Sequence, residues 1–210
     1  MKAKENAGKR LMRWEIALLI GLAVCFVSGM LAHRAQDRLA DKMVRLHVLA
    51  NSDSPADQAL KLRVRDAVLA HTEGLLEYSD DRREAEGRLR GELLELERLA
   101  EKEIRAGGYD YPVTAELVNT EFPTREYDGF MLPAGEYLAL RIVIGEGGGQ
   151  NWWCVVFPPL CASSAVQMPA TAMSAGLTED EVGLLTCETT EYVLKFKTVE
   201  WWETLRQKIS

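Results

Sequence analysis

Histidine and clustered cysteine are scarce in this chain of 210 residues. There are three histidines, His33, His47 and His71, and four cysteines, none at C-x-x-C spacing. A compact zinc constellation therefore has no ligands to draw on. No phosphate loop is present either. Gly145-Glu-Gly-Gly-Gly149 lacks a following Lys-Ser/Thr and the helix whose free amides would hold an anion, so it reads as a turn. Paired carboxylates of contrasting environment are missing. Asp53 and Asp57 flank a helix start, where the helix amides account for them, and Glu179, Asp180 and Glu181 form a solvated run. No internal repeat is visible.

Positive charge is scarce beyond the N-terminus. Residues 1–35 hold six Lys/Arg and two Asp/Glu, a net of +4, within a whole-chain net of −7. The remainder keeps 19 basic and 30 acidic residues, a net of −11. An acidic domain of this kind excludes nucleic acid, whose phosphates demand a basic face, and a polybasic grip on anionic lipid.

What is present first is an address. Lys2, Lys4, Lys9, Arg10 and Arg13 precede an apolar run from Ile16 to Ala32, broken only by Gly21, Ser28 and Gly29. A basic flank before such a run is the pattern of a secretory signal or a signal anchor. Residues 1–35 are accordingly expected to be a signal peptide or membrane anchor, in the membrane through residues 16–32. The basic flank keeps its own end cytoplasmic and sends the rest outside. No good cleavage site follows, since His33 and Arg34 spoil the positions around Ala32 and Ala35, so cleavage and anchoring both stay open.

Residues 40–210 read as one exported α+β domain: a strand, two long helices and a mainly antiparallel sheet. Val44, Leu46 and Val48 alternate with Arg45 and His47, a strand signature that leaves His47 on the polar face. Ser54 as cap with Pro55 at the first helical position starts a helix to about Leu76. Ser79 and Asp80 open a second helix to about Ala106, with Glu84–Arg88, Glu86–Arg90 and Glu101–Arg105 at i,i+4. Gly107-Gly108 ends it. Val113–Phe122 alternates as a strand, Tyr127–Pro133 is a turn-rich link, and Glu136–Gly145 alternates again. With Asn151–Phe157 the last of these is expected to form a hairpin through the glycine-rich turn. Residues 162–190 form an irregular excursion. Glu191–Phe196 is a candidate last strand, and Thr198–Lys208 a terminal helix led by Trp201, Trp202 and Leu205.

The densest segment runs from Asn151 to Cys161, with two tryptophans, two cysteines and Pro158-Pro159. Successive strand side chains point to opposite faces, so Trp152 and Trp153 cannot both face a core. Export favours an oxidised pair, hence a Cys154–Cys161 disulfide stapling the Pro-Pro corner. Cys187 could compete for Cys161. A thiol nucleophile is the alternative chemistry, with Cys154 paired to His47 and to Asn51 or Asp53. Against it, Cys154 lies mid-strand and not at a helix N-terminus, where thiolates are stabilised.

Three stretches together resemble the stage II sporulation protein R family of endospore-forming bacteria. They are Val44–Val68, Gly108–Pro112 leading to Phe122-Pro123-Thr124, and Pro133–Tyr137 through Gly145–Gly147 to Asn151–Cys161. The resemblance spans about Val44 to Cys161, and residues 162–190 depart from it. It implies a signalling protein exported from the forespore into the space between the two septal membranes. There it activates a membrane-embedded aspartic protease of the mother cell, which processes the sigma E precursor. No enzymatic activity and no cofactor are implied. Contact through a few aromatic anchors then becomes the expected mode of action. Trp152, Trp153, Asn51, Ser52 and Asp53 are the candidate partner-binding residues. A thiol-dependent extracytoplasmic hydrolase using Cys154 and His47 is the reading to weigh against it.

Overall fold

The computed structural model describes residues 2–127, 129–161 and 167–186. The chain divides into two units, residues 1–36 and 37–210. The first belongs to helix α1 (Lys2–Ala40). From Arg13 the helix runs 28 residues with a mean hydropathy of 2.2 in its apolar window. At ~1.5 Å per residue that length exceeds a hydrocarbon core of ~30 Å, so by length and composition it can cross a membrane.

The second unit opens with β1 (Val44–Leu49), followed by α2 (Pro55–Leu76), α3 (Arg82–Ala106) and β2 (Val113–Phe122). Then come β3 (Arg125–Tyr127), β4 (Phe130–Leu132), β5 (Gly135–Ile144), β6 (Asn151–Phe157), α4 (Met168–Ser174) and α5 (Glu179–Thr186). The helix starts follow local chemistry. Ser54 Oγ accepts the Asp57 amide at 3.1 Å with Pro55 in the first turn. Asp81 caps α3 by accepting the Glu84 amide at 2.9 Å, one residue later than the sequence suggested. The three expected i,i+4 pairs of α3 form, at 2.7, 2.6 and 2.9 Å. All are surface pairs of small individual worth.

The main sheet has the order β2-β5-β1-β6, with β3-β4 a separate two-stranded ribbon. β5 pairs antiparallel to β2 and parallel to β1, while β6 pairs antiparallel to β1. This corrects the hairpin expected between β5 and β6, because β1 lies between them. A tight turn bridges one strand spacing of ~4.8 Å, whereas this connection must bridge two. The residues between Ile144 and Asn151 do so by crossing the end of β1. Gly148 N donates to Asn51 O at 3.2 Å and Gly149 N to Ala50 O at 2.9 Å. β1 is buried along its length, and a central position satisfies its backbone on both sides.

Both faces of the sheet are covered. Val44, Leu46, Val48, Leu140, Ile142, Cys154 and Val156 pack under α2 and α3 against Leu60, Val64, Leu89 and Leu96. On the other face, Phe122, Tyr137, Ala139 and Trp153 form one cluster. Beyond it Val155, Phe130, Leu132, Leu160, Met168, Ala172 and Leu185 form another. The stretch expected to be irregular thus holds two short helices among its described residues. Their buried positions are few, Met168 and Ala172 in α4 and Val182 and Leu185 in α5, so no long helical period marks them. The turn-rich link likewise forms the β3–β4 ribbon. The candidate strand 191–196 and helix 198–208 lie outside the described residues.

Candidate functional site

Among the described residues β6 is one of the two edge strands of the main sheet, and its register with β1 decides where each candidate side chain goes. Cys154 is opposite Leu46 and Trp153 opposite His47. Trp152 and Cys154 therefore share the helix-covered face, and Trp153 and Val155 the other. Trp152 is 37% exposed, and the Arg65 guanidinium from α2 lies 4.2 Å over its ring. Arg65 is itself held by Asp66 at 2.6 Å. Trp153 is half-buried, stacks on His47 at 4.0 Å and meets the Phe122 ring at 4.7 Å. The outward tryptophan is Trp152.

Cys154 and Cys161 are joined as a disulfide, with Cα atoms 6.2 Å apart. The bridge folds the chain after β6 back on the strand, so that Val155 N donates to Cys161 Sγ at 3.2 Å. From the other side Tyr127 Oη donates to Trp153 O at 3.3 Å. Between these elements is a cavity of about 350 Å³, lined among others by Arg65, Asp66, Tyr127, Phe130, Trp152 and Trp153. That is the lower end of the range for ligand pockets.

Behind the edge, β1 carries two polar side chains into the interior. Arg45 is fully buried, donates from Nη2 to Tyr127 Oη at 2.7 Å, and lies over the Phe122 and Tyr137 rings at 4.0 and 4.9 Å. Its Nε and Nη1 have no hydrogen-bond partner among the described residues. Burial pulls its pKa down, opposed by Tyr127 and Tyr137. His47, expected on a polar face, is only 6% exposed. Its face is polar in the sequence pattern yet is roofed by Trp153 and Phe122. His47 Nε2 bonds Asn151 Oδ1 at 2.9 Å, and burial holds its pKa below the ordinary value.

The Asn51-Ser52-Asp53 turn is tied to the strand from a distance of a hundred residues in sequence. Asn51 Oδ1 accepts the Glu146 amide at 3.1 Å, and Asp53 Oδ1 accepts the Gln150 amide at 2.7 Å. Asn51 Nδ2 and Ser52 Oγ both donate to Asp57 Oδ2, at 2.9 and 2.6 Å. The Ser52 and then the Asn51 bond hold the Asp57 carboxyl below its usual range. The approach is close enough to demand glycine. A Cβ on Gly145, at φ +59°, would overlap Asn51 Oδ1, and one on Gly149 would overlap Ser52 O. Asn51 and Ser52 thus use their polar groups inside the fold, while Asp53 stays exposed.

The Cys154–His47 dyad does not assemble. The sulfur is bonded to Cys161 on the helix face, and His47 points to the other face with its Nε2 occupied. Among the described residues no group of three His, Cys, Asp or Glu could hold a metal ion. Cys25 is an exposed thiol on α1, and Cys187 lies outside the described residues. Sequence reading passed over Arg65, Tyr127 and Phe130. Their neighbourhood with Trp152 is set by packing, and the one local hint was the aromatic spacing Tyr127-x-Gly-Phe130.

The fold and site define a class: an α+β domain that follows a long apolar helix in the sequence and carries an aromatic strand at one sheet edge among the described residues. The family model for stage II sporulation protein R matches residues 40–167, and the chain belongs to that family. It is 36% identical over 147 residues to stage II sporulation protein R of Bacillus subtilis (strain 168), covering 69% of this chain and 66% of that relative. The matched region is thus just under two thirds of the relative's length. No solved structure matches.

Proposed function

We propose that the chain is an exported signalling protein of sporulation that acts by contact on a membrane-embedded aspartic protease, leading to processing of the sigma E precursor. Residues 1–35 serve as signal or anchor, and residues 40–210 form the domain that reaches the space between the septal membranes from the forespore. Family membership supports the sporulation role, and the apolar α1 with its basic start supports export. The Cys154–Cys161 bridge suits an oxidising compartment. No catalytic step is assigned to the chain. The observation that carries contact as the mode of action is the exposed Trp152, clamped by Arg65 at the mouth of a cavity on the edge strand.

Trp152→Ala tests it. A half-exposed ring supports the fold weakly, while an aromatic anchor at an interface costs about 2 kcal/mol or more when truncated. The expected result is a normally folded, exported protein with sigma E precursor processing reduced at least tenfold in sporulating cells. Unchanged processing would remove Trp152 from the interface.

A further inference from the structure

We infer that the outward edge of β6, from Asn151 to Trp153, is a strand-addition site for an extended, uncharged segment of a partner polypeptide, one apolar side chain of which enters the cavity beside Trp152. The inference rests on the contact reading above and names what the contact is made of.

Two bonds show which backbone groups point outward. Tyr127 Oη caps Trp153 O, and Cys161 Sγ takes the Val155 amide. Neither cap comes from β1, so residues 153 and 155 turn their peptide groups away from the sheet. By the period of two, residue 151 does likewise. Among the described residues no strand pairs on this side, since β6 ends the sheet order. An open row of amides and carbonyls is the template for a further strand, and native proteins usually blunt it with charge, proline or a bulge. Here the register shift against β1 falls after Val155 and the first proline is Pro158, so the stretch Asn151-Trp152-Trp153 carries neither.

The Tyr127 cap is exchangeable: a hydroxyl at 3.3 Å is a weak partner for a peptide carbonyl, and an incoming backbone amide replaces it. The Cys161 sulfur, fixed by its bond to Cys154, keeps the Val155 amide and marks the end of the open stretch. When it lets go, Tyr127 keeps the bond that it accepts from Arg45 at 2.7 Å and gives up only the longer one that it donates. The cavity then supplies selectivity. Its walls are α2 on one side, with Leu69 beneath the Arg65–Asp66 pair, and Tyr127 with Phe130 on the other. Arg65 and Asp66 neutralise each other at 2.6 Å, so neither charge sign is favoured and the side chain that fits is apolar. Backbone pairing for affinity and a pocket for alternate side chains is the established physics of strand addition.

The test uses the full chain in detergent micelles and two probes. One is the peptide Ac-Lys-Val-Thr-Val-Thr-Val-Lys-NH2. The other is the same peptide N-methylated at every valine and threonine, which keeps the side chains and loses the backbone donors. Tryptophan emission reports binding, and amide exchange locates it. Expected are saturable binding of the plain peptide and about tenfold slower exchange at the Trp153 and Asn151 amides. The methylated peptide should bind at least about tenfold more weakly. Trp152→Ala and Trp152→Phe should weaken binding in that order. Equal binding of both peptides, protection mapped away from β6, or no binding at millimolar peptide overturns the site. So do a chain that pairs this edge with a second copy and one whose edge amides are already protected by its own residues 191–196. Sigma E precursor processing separates the two readings. Peptide binding with processing untouched by Trp152→Ala keeps the edge as a strand-addition site and removes it from the contact that activates the protease. Processing that depends on Trp152 without peptide binding does the reverse.

Discussion

Replacing Arg45 by methionine should stabilise this domain, although it removes a hydrogen bond and two ring contacts. The reason lies in what the guanidinium gives up by being buried. It has no exposure, its hydrogen bond goes to a neutral phenol, and two of its nitrogen atoms lack partners among the described residues. Desolvation of a buried ion costs several kcal/mol even after relaxation. The two nitrogen atoms without an acceptor carry part of that cost, about 1–3 kcal/mol each. Against this stand one bond to Tyr127 at 2.7 Å, of order 1.5–3 kcal/mol, and two ring faces at 4.0 and 4.9 Å, of order 1–2 kcal/mol each. These gains at most match the cost, whereas a methionine fills much of the same volume with apolar atoms and has no charge to desolvate. A gain of about 1–2 kcal/mol follows, which for a domain of this size is a rise of roughly 2–8 °C in Tm. Tyr127→Phe is the contrasting variant. It keeps the buried cation and removes its one neutral oxygen, so it should cost about 2–3 kcal/mol. The two changes together should leave little of that cost, because with the guanidinium gone no buried charge needs the missing oxygen. Thermal and urea unfolding of the full chain in micelles, read by near-ultraviolet circular dichroism, measures all three. A loss of more than about 3 kcal/mol in Arg45→Met would refute the reasoning and reveal an anion paired with the guanidinium.

Three further outcomes follow from the same geometry. His47 has a pKa lowered first by burial, so the folded state takes up a proton less readily than the unfolded chain. Stability should be level above the unfolded value near ~6.5 and fall as pH drops through it, and His47→Gln should flatten that part of a pH–Tm curve. Asn51→Ala loses the bonds to Asp57 and to the Glu146 amide, which should cost about 1–3 kcal/mol and speed amide exchange at 146–150. Cys154→Ser, Cys161→Ser and the double variant should each lose about 2 kcal/mol of stability, as expected for so short a closed loop. Loss of sigma E precursor processing in Cys154→Ser alone, with the fold kept, would restore the nucleophile reading.

The helical half of the molecule is legible residue by residue. Ser54 and Pro55 start α2, the Glu–Arg spacings decorate α3, and Gly107-Gly108 closes it, because caps and i,i+4 pairs depend on neighbours within one turn. The opposed faces of Trp152 and Trp153 also follow from the strand period alone. Strand partners do not. Glycines between two alternating runs look the same whether the runs pair directly or admit a third strand. The choice of β1 as that strand rests on contacts between Ala50–Asn51 and Gly148–Gly149. The polar look of His47 failed for a related reason, since the residues that roof it come from β2 and β6.

By itself, then, the sequence determined an apolar N-terminal helix, an acidic α+β domain, its two long helices and the alternation of its strands. Each is written in local spacing and needs no distant partner. Only the tertiary structure decided that β6 stands at a sheet edge among the described residues, that Trp152 is the outward ring, and that Arg65 and Tyr127 close in beside it. Those outcomes depend on which of several compatible strands share hydrogen bonds, and that is settled by burying β1 between two neighbours rather than by any residue within β6.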